Sequence, residues 1–173
     1  MNQIIRVSGL SESRWPNGLG RKADIASGDG WLLGFAWLDG DAPFSDYKGS
    51  DRTITLVEGR GFALDLPEGS TLTVARLFEP AAFDGAGPIP CRLLGGPCRV
   101  LNAVSAYPGY AHTVQVVSGA DLAEIEPGPS VFAIVLRGTV SGAMPLDAIR
   151  LHEPVTAGAD VLIAVARFEK QGD

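Results

Sequence analysis

Short apolar runs alternate along the chain with breaks marked by glycine and proline, and that rhythm predicts strands rather than helices. Phe62, Leu64 and Leu66 alternate with Ala63 and Asp65, the period of two that gives a strand one buried and one wetter face. Comparable runs predict strands over 32–38, 52–57, 62–66, 71–77, 92–94 and 99–105, then over 112–117, 122–126, 130–136, 148–151 and 161–168. Glu58, Gly59, Arg60 and Gly61 supply a hairpin-type loop between two of them. With 22 glycines and 12 prolines, the longest stretch free of both is Ala159–Gln171, so long helices are nearly excluded and an all-β sandwich or barrel is expected. The pentapeptide Arg76–Pro80 is echoed at Arg150–Pro154, each copy following a strand. The echo fits two related β units ahead of the alternative, a coincidence between two strand ends that each need a proline stop.

Composition narrows the classes. Of 173 residues, 46% are hydrophobic and 20% charged, which fits a folded globular chain. The net charge is -6 and the 14 Lys and Arg are scattered, which argues against nucleic acid as a partner, since phosphate neutralisation needs clustered cations. The N-terminus reads as neither signal nor transit peptide, and no apolar run approaches the roughly 20 residues of a membrane helix, so a cytoplasmic protein without membrane contact is expected. Cys91 and Cys98, the two cysteines, are expected as reduced structural thiols rather than a functional pair.

Candidate chemistry concentrates just ahead of the strand at 52–57. Pro43, Phe44, Ser45, Asp46, Tyr47, Lys48, Gly49, Ser50, Asp51 and Arg52 bring turn-formers, two aromatic rings and an acid–base pair to a strand entrance. Arg offers a planar fork of donors that fits a carboxylate in two-point fashion. Adjacent strand residues face opposite sides, so Asp51 and Arg52 do not share a pocket, and Arg52 is assigned inward. An exposed ion pair of these two residues is the equal alternative on composition alone. Upstream, Trp15–Lys22 is a Gly-rich loop with an Asn amide and an aromatic wall, read as a structural turn ahead of a ligand loop. Downstream, Asn102 lies inside an apolar run and requires hydrogen-bond partners, either backbone or ligand.

Metal and nucleophile chemistry have little to stand on. His112 and His152 are the two histidines and show no ligand spacing, although spacing alone leaves open a convergence of both with Glu153. Ser118-Gly119 and Ser141-Gly142 lack the flanking pattern of a nucleophile elbow.

Over its first hundred residues the sequence resembles the HutD/Ves family of small bacterial proteins, through Trp15, Asn17, Gly18, Gly20, Gly40, Pro43, Phe44, Ser45, Tyr47, Gly49, Asp51 and Arg52, then Leu56, Gly59, Gly61, Phe83, Gly85, Pro88, Gly96, Pro97 and Asn102. The resemblance implies an all-β double cupin whose first lobe, 1–105, carries the pocket and whose second lobe is 106–173. It implies a fold lacking the metal-binding histidines of enzymatic cupins, with no cofactor. It further implies a non-enzymatic binding or regulatory role in histidine utilisation, through a small carboxylated metabolite such as formylglutamate or urocanate. Departures from the family pattern occur at Leu19, Lys22 and the run Val100–Val104, and a cationic Lys22 near the pocket would alter its charge preference.

The expected ligand-binding residues are therefore Trp15, Asn17, Gly18, Ser45, Tyr47, Arg52 and Asn102, with no catalytic and no metal-binding residue. Arg52 is the carboxylate clamp, Asn17 and Asn102 give directional hydrogen bonds, and Trp15 and Tyr47 are walls. The alternatives are a cupin enzyme acting on a sugar or amino-acid derivative by metal-dependent or acid–base chemistry, and a protein-binding scaffold. A homodimer through edge strands is the assembly that fold analogy suggests.

Overall fold

The computed structural model describes residues 1–172, and two sheets packed face to face organise it. The first sheet runs β2 (Glu12–Arg14), β3 (Arg21–Gly28), β4 (Trp31–Leu38), β10 (Cys98–Ala106), β5 (Ser50–Glu58) and β8 (Pro80–Asp84). A three-stranded sheet of β7 (Thr71–Val74), β6 (Phe62–Asp65) and β9 (Cys91–Leu93) covers its far face. The second large sheet runs β1 (Gln3–Ile5), β13 (Ala148–Arg150), β12 (Val131–Arg137), β14 (Leu162–Lys170) and β11 (Tyr110–Ser118).

Period-two alternation builds three cores from these strands. Along β5 and β10, Ile54, Leu56 and Val100 point into the first lobe, where they meet Phe44, Phe62 and Phe83. The intervening residues Val57, Leu101 and Ala103 point the other way, toward Phe132, Ile134 and Ala164 of the second large sheet. Trp31 of β4 stacks on Phe168 of β14 with centroids 4.4 Å apart, so one aromatic pair spans the two sheets. A third core of Val135, Ile149, Ile163 and similar residues fills the second lobe. Each fully buried Leu, Ile or Phe contributes about 1.5–3 kcal/mol, so the sheet-to-sheet contact is a major part of the fold's stability.

Most predicted strands appear within a residue or two, and four differences are informative. The run at 122–126 forms a 3₁₀ turn, Asp121–Glu124, where Ser118 Oγ donates to Asp121 and only Leu122 is buried. The strand expected to reach residue 77 stops at Val74, and Phe78 takes a left-handed φ of 66°. Strands β1, β2, β3 and β8 were not expected. Of these, β1 pairs with β13, so residues 3–5 join the second lobe's sheet although they fall inside the 1–105 segment.

Among the described residues no helix is long and apolar enough to cross a membrane. Both cysteines are buried free thiols in the first lobe's core. Burial, followed by nearby Asp41 and Cys98, pushes the Cys91 thiol up to about 12, so it stays protonated.

Candidate functional site

The open end of the first lobe is built on β5 and β10. Asp51 is exposed and Arg52 is 5% exposed, because the strand turns alternate residues to opposite faces. The guanidinium lies over three rings, with centroid distances of 5.1 Å to Phe44, 5.0 Å to Tyr47 and 5.3 Å to Phe83. Those rings arrive from the 43–47 segment and from β8. That segment is held by backbone bonds from Phe44 N to Ile89 O and from Tyr47 N to Gly85 O. Gly85 is required here, since a Cβ would lie 2.9 Å from Ser50 O and 3.0 Å from the Arg52 side chain.

Polar satisfaction of Arg52 is incomplete. Nε and Nη2 both donate to Asn102 Oδ1, at 3.4 and 3.3 Å, and Nη1 is buried without a partner. No salt bridge reaches the group among the described residues. Burial pushes Arg52 down to about 10, with the nearby Tyr47 acting the other way, so the cation persists at neutral pH. A buried cation facing only aromatic rings and one amide oxygen is costly unless an anion joins it.

Beside it the cavity has a volume of about 30 Å³, space for roughly two waters when one needs about 10–15 Å³. Its walls include Trp15, Ser45, Tyr47, Ile54 and Asn102, with Lys22 and Asp24 on the β3 side. Trp15 is fixed by Nε1–H donation to Arg21 O at 2.7 Å and an edge-on contact with Phe44. Ser45 Oγ accepts the Asn17 backbone N–H at 3.2 Å, which leaves the hydroxyl proton able to turn toward a ligand.

Five of the seven expected residues, Trp15, Ser45, Tyr47, Arg52 and Asn102, therefore converge on one cavity. Asn17 and Gly18, expected with the other five, do not line it. The Asn17 side chain donates to Pro43 O and accepts from Leu19 N, so its directional bonds are spent on closing the loop. Gly18 is exposed at a turn with φ of 76° and has open space around it. Lys22, the end of the Trp15–Lys22 loop and a departure from the family pattern near the pocket, lies in the wall, and its partner Asp24 was missed along with β3.

The histidines go elsewhere. His112 on β11 lies between the sheets, with Nδ1 2.6 Å from Ser105 Oγ and Nε2 2.8 Å from Thr53 Oγ1. His152 is exposed in the loop after β13. Among the described residues no group of three or more His, Cys, Asp or Glu side chains is placed to hold a metal ion.

Fold and site together define a two-lobed β protein of the cupin class, with an unpaired buried arginine in its first lobe. The chain belongs to the HutD family, whose defining pattern matches residues 8–162. It is 31% identical over 124 residues to an uncharacterised 21.2 kDa protein from the hutC 3' region of Pseudomonas putida. That match covers 68% of this chain and 65% of the relative's length. The fold resembles that of a conserved protein of unknown function from Pseudomonas aeruginosa, with a TM-score of 0.79, 20% identity, and 99% and 100% of the two chains covered. It is similar to HutD from Pseudomonas fluorescens, with a TM-score of 0.78, 21% identity and coverage of 99% and 100%. A cupin 2 conserved barrel domain protein from Leptotrichia buccalis matches at a TM-score of 0.59 and 10% identity, over 98% and 96% of the chains.

Proposed function

We propose that this chain binds a small carboxylated metabolite in its first lobe and acts in histidine utilisation as a binding or regulatory protein rather than as a catalyst. The observation that carries this reading is Arg52, a buried cation with an unpartnered Nη1, in the wall of a cavity the size of a carboxylate group. A carboxylate there accepts from Nη1 and restores the balance that burial removes, in the two-point geometry guanidinium favours. The HutD structure from Pseudomonas fluorescens is of a formate condition, and formate is the smallest carboxylate. Formylglutamate and urocanate are the pathway candidates, each with a carboxylate to place on Arg52.

Thermal denaturation in the presence of formate, urocanate and formylglutamate, each beside a neutral amide analogue, tests the reading. A bound carboxylate raises the melting temperature with its free concentration, by mass action. Neutral analogues should leave it unchanged, and Arg52→Met should remove every carboxylate effect. Absence of a shift with all three acids at millimolar concentration would overturn the proposal.

A further inference from the structure

The sheet face that meets the second lobe runs out into a second cavity. Arg21, Trp37, Arg99 and Glu58 are ladder partners in turn, so they form one row across β3, β4, β10 and β5 with their side chains on one face. Phe35 and Leu101, two residues along β4 and β10, pack against the second lobe from that face, and Trp37 lies against the same core. Val7, Ser8 and Leu10 of the N-terminal segment line, with Ala23, Trp37 and Arg99, a cavity of about 300 Å³. That is room for a whole small molecule. Asn102, three residues on along β10, turns to the opposite face and the Arg52 cavity, so the two cavities lie on different sides of the sheet.

The two arginines that flank Trp37 differ in what they have left to offer. Both guanidinium groups lie against the indole, 5.0 Å from its centroid for Arg21 and 4.8 Å for Arg99. Every guanidinium nitrogen of Arg21 donates, Nε and Nη2 to Asp39 and Nη1 to Glu12. Arg99 Nε, in contrast, is buried and makes no hydrogen bond, and its contact with Glu58 Oε2, 3.4 Å away, brings opposite charges together without one. Glu58 is more than half exposed, so water screens that pair and its release costs little. Arg99 is therefore a cation with unused donors in a wall that Val7, Leu10, Ala23 and the indole make largely apolar. Glu12, also in the wall, and Asp39 share Arg21, which leaves one negative charge in excess on that side and disfavours a second acid group.

We infer that the junction between the lobes holds a second ligand site, independent of the Arg52 reading, for a monocarboxylate with a compact apolar body, aryl or branched alkyl. The carboxylate takes the Arg99 guanidinium in place of Glu58, and the apolar body lies among Val7, Leu10 and Ala23.

Calorimetric titration with phenylacetate, phenylacetamide, acetate and phenylsuccinate tests the site. Phenylacetate should bind at least about tenfold more tightly than the others, since the amide lacks the charge, acetate lacks the body and phenylsuccinate adds a second acid group. Arg52→Met should leave phenylacetate affinity unchanged, and Arg99→Met should weaken it at least about tenfold. Glu58→Gln removes the competing carboxylate at an exposed position and should tighten phenylacetate binding roughly two- to fivefold, which keeps the test decisive even where Arg99→Met fails to fold. Binding that disappears in Arg52→Met and survives in Arg99→Met belongs to the first lobe and overturns the second site. Phenylacetamide or phenylsuccinate binding as tightly as phenylacetate, an unchanged affinity in Glu58→Gln, or no phenylacetate binding at millimolar concentration overturns it as well.

Discussion

Asn102 lies diagonally across the β5–β10 ladder from Arg52: it is paired with Ile54, two residues along, and its one amide oxygen serves two guanidinium nitrogens. Both bonds are long for N–H···O, so Asn102 orients the cation more than it neutralises it. An amide here leaves the positive charge available to something else. A carboxylate at the same position would consume it.

Asn102→Asp should therefore act as a built-in ligand. Its carboxylate would stand where Oδ1 now receives Nε and Nη2, giving a buried, two-point ion pair. We expect the unliganded protein to gain about 1–3 kcal/mol, since the cation is already buried and its desolvation already incurred. Added carboxylates should no longer bind. Chemical denaturation with and without formate checks both halves; a less stable variant that still responds to formate contradicts the arrangement.

Arg52→Met makes the opposite demand. The thioether fills much of the same space between Phe44, Tyr47 and Phe83 and requires no anion. Cation–π contacts worth roughly 0.5–2 kcal/mol are lost, while the burden of an unpaired buried charge disappears. The expected result is an unliganded protein within about 1 kcal/mol of the parent or more stable, with carboxylate binding abolished. A loss of several kcal/mol in urea denaturation would place Arg52 in the structural frame instead of the binding site.

The inward face of this site was legible because strands alternate. Once 52–57 is read as a strand, exposure of Asp51 sends Arg52 inside, and Asn102 follows from the same period in the 99–105 run. Convergence was harder to read. Phe44 and Phe83 lie nearly forty residues apart, and only the backbone bonds of the 43–50 and 85–89 segments bring their rings to one guanidinium. Strand β3 escaped because Arg21, Lys22, Asp24, Ser27 and Gly28 give it a polar, flexible composition; only Ala23 and Ile25 are buried. Missing β3 meant missing Asp24. Asn17 lies outside the cavity wall because an amide beside glycines serves a turn as readily as a ligand, and here its side chain bonds Pro43 O and Leu19 N.

His112 joins the sheets under a pH constraint. Burial lowers its pKa below the ordinary value, with Asp51 pulling weakly the other way, so the folded state holds the neutral ring between Ser105 and Thr53. An unfolded chain binds the proton first, near pH 6.5. Stability is thus full above that value and declines as pH falls from about 6.5 toward the lower folded pKa. Denaturation at a series of pH values should show this slope, and His112→Gln should flatten it. An unchanged slope in the variant would assign the dependence to other groups.

Asp147 tethers the N-terminal segment to the second lobe. Its carboxylate is 3% exposed and accepts from Arg6 Nη1, Val7 N and Met144 N at 2.8, 2.8 and 3.0 Å. Burial alone would raise its pKa, yet the Met144 and Val7 amides and the Arg6 guanidinium together hold it below the usual carboxylate range. The resulting stability is present above the unfolded carboxylate value of about 3.9 and is lost as pH falls through the folded one. Asp147→Ala strands two backbone donors, while the half-exposed Arg6 keeps its bond to Gly142 O, and should cost about 2–4 kcal/mol. The loss should be felt first beside the tether, where β1 is only three residues long and joins the sheet through β13. Hydrogen exchange at the Val7 amide should accelerate more than exchange in β12, at a pH where the parent carboxylate is ionised. Equal acceleration in both would mean that Asp147 supports the whole lobe and not this junction.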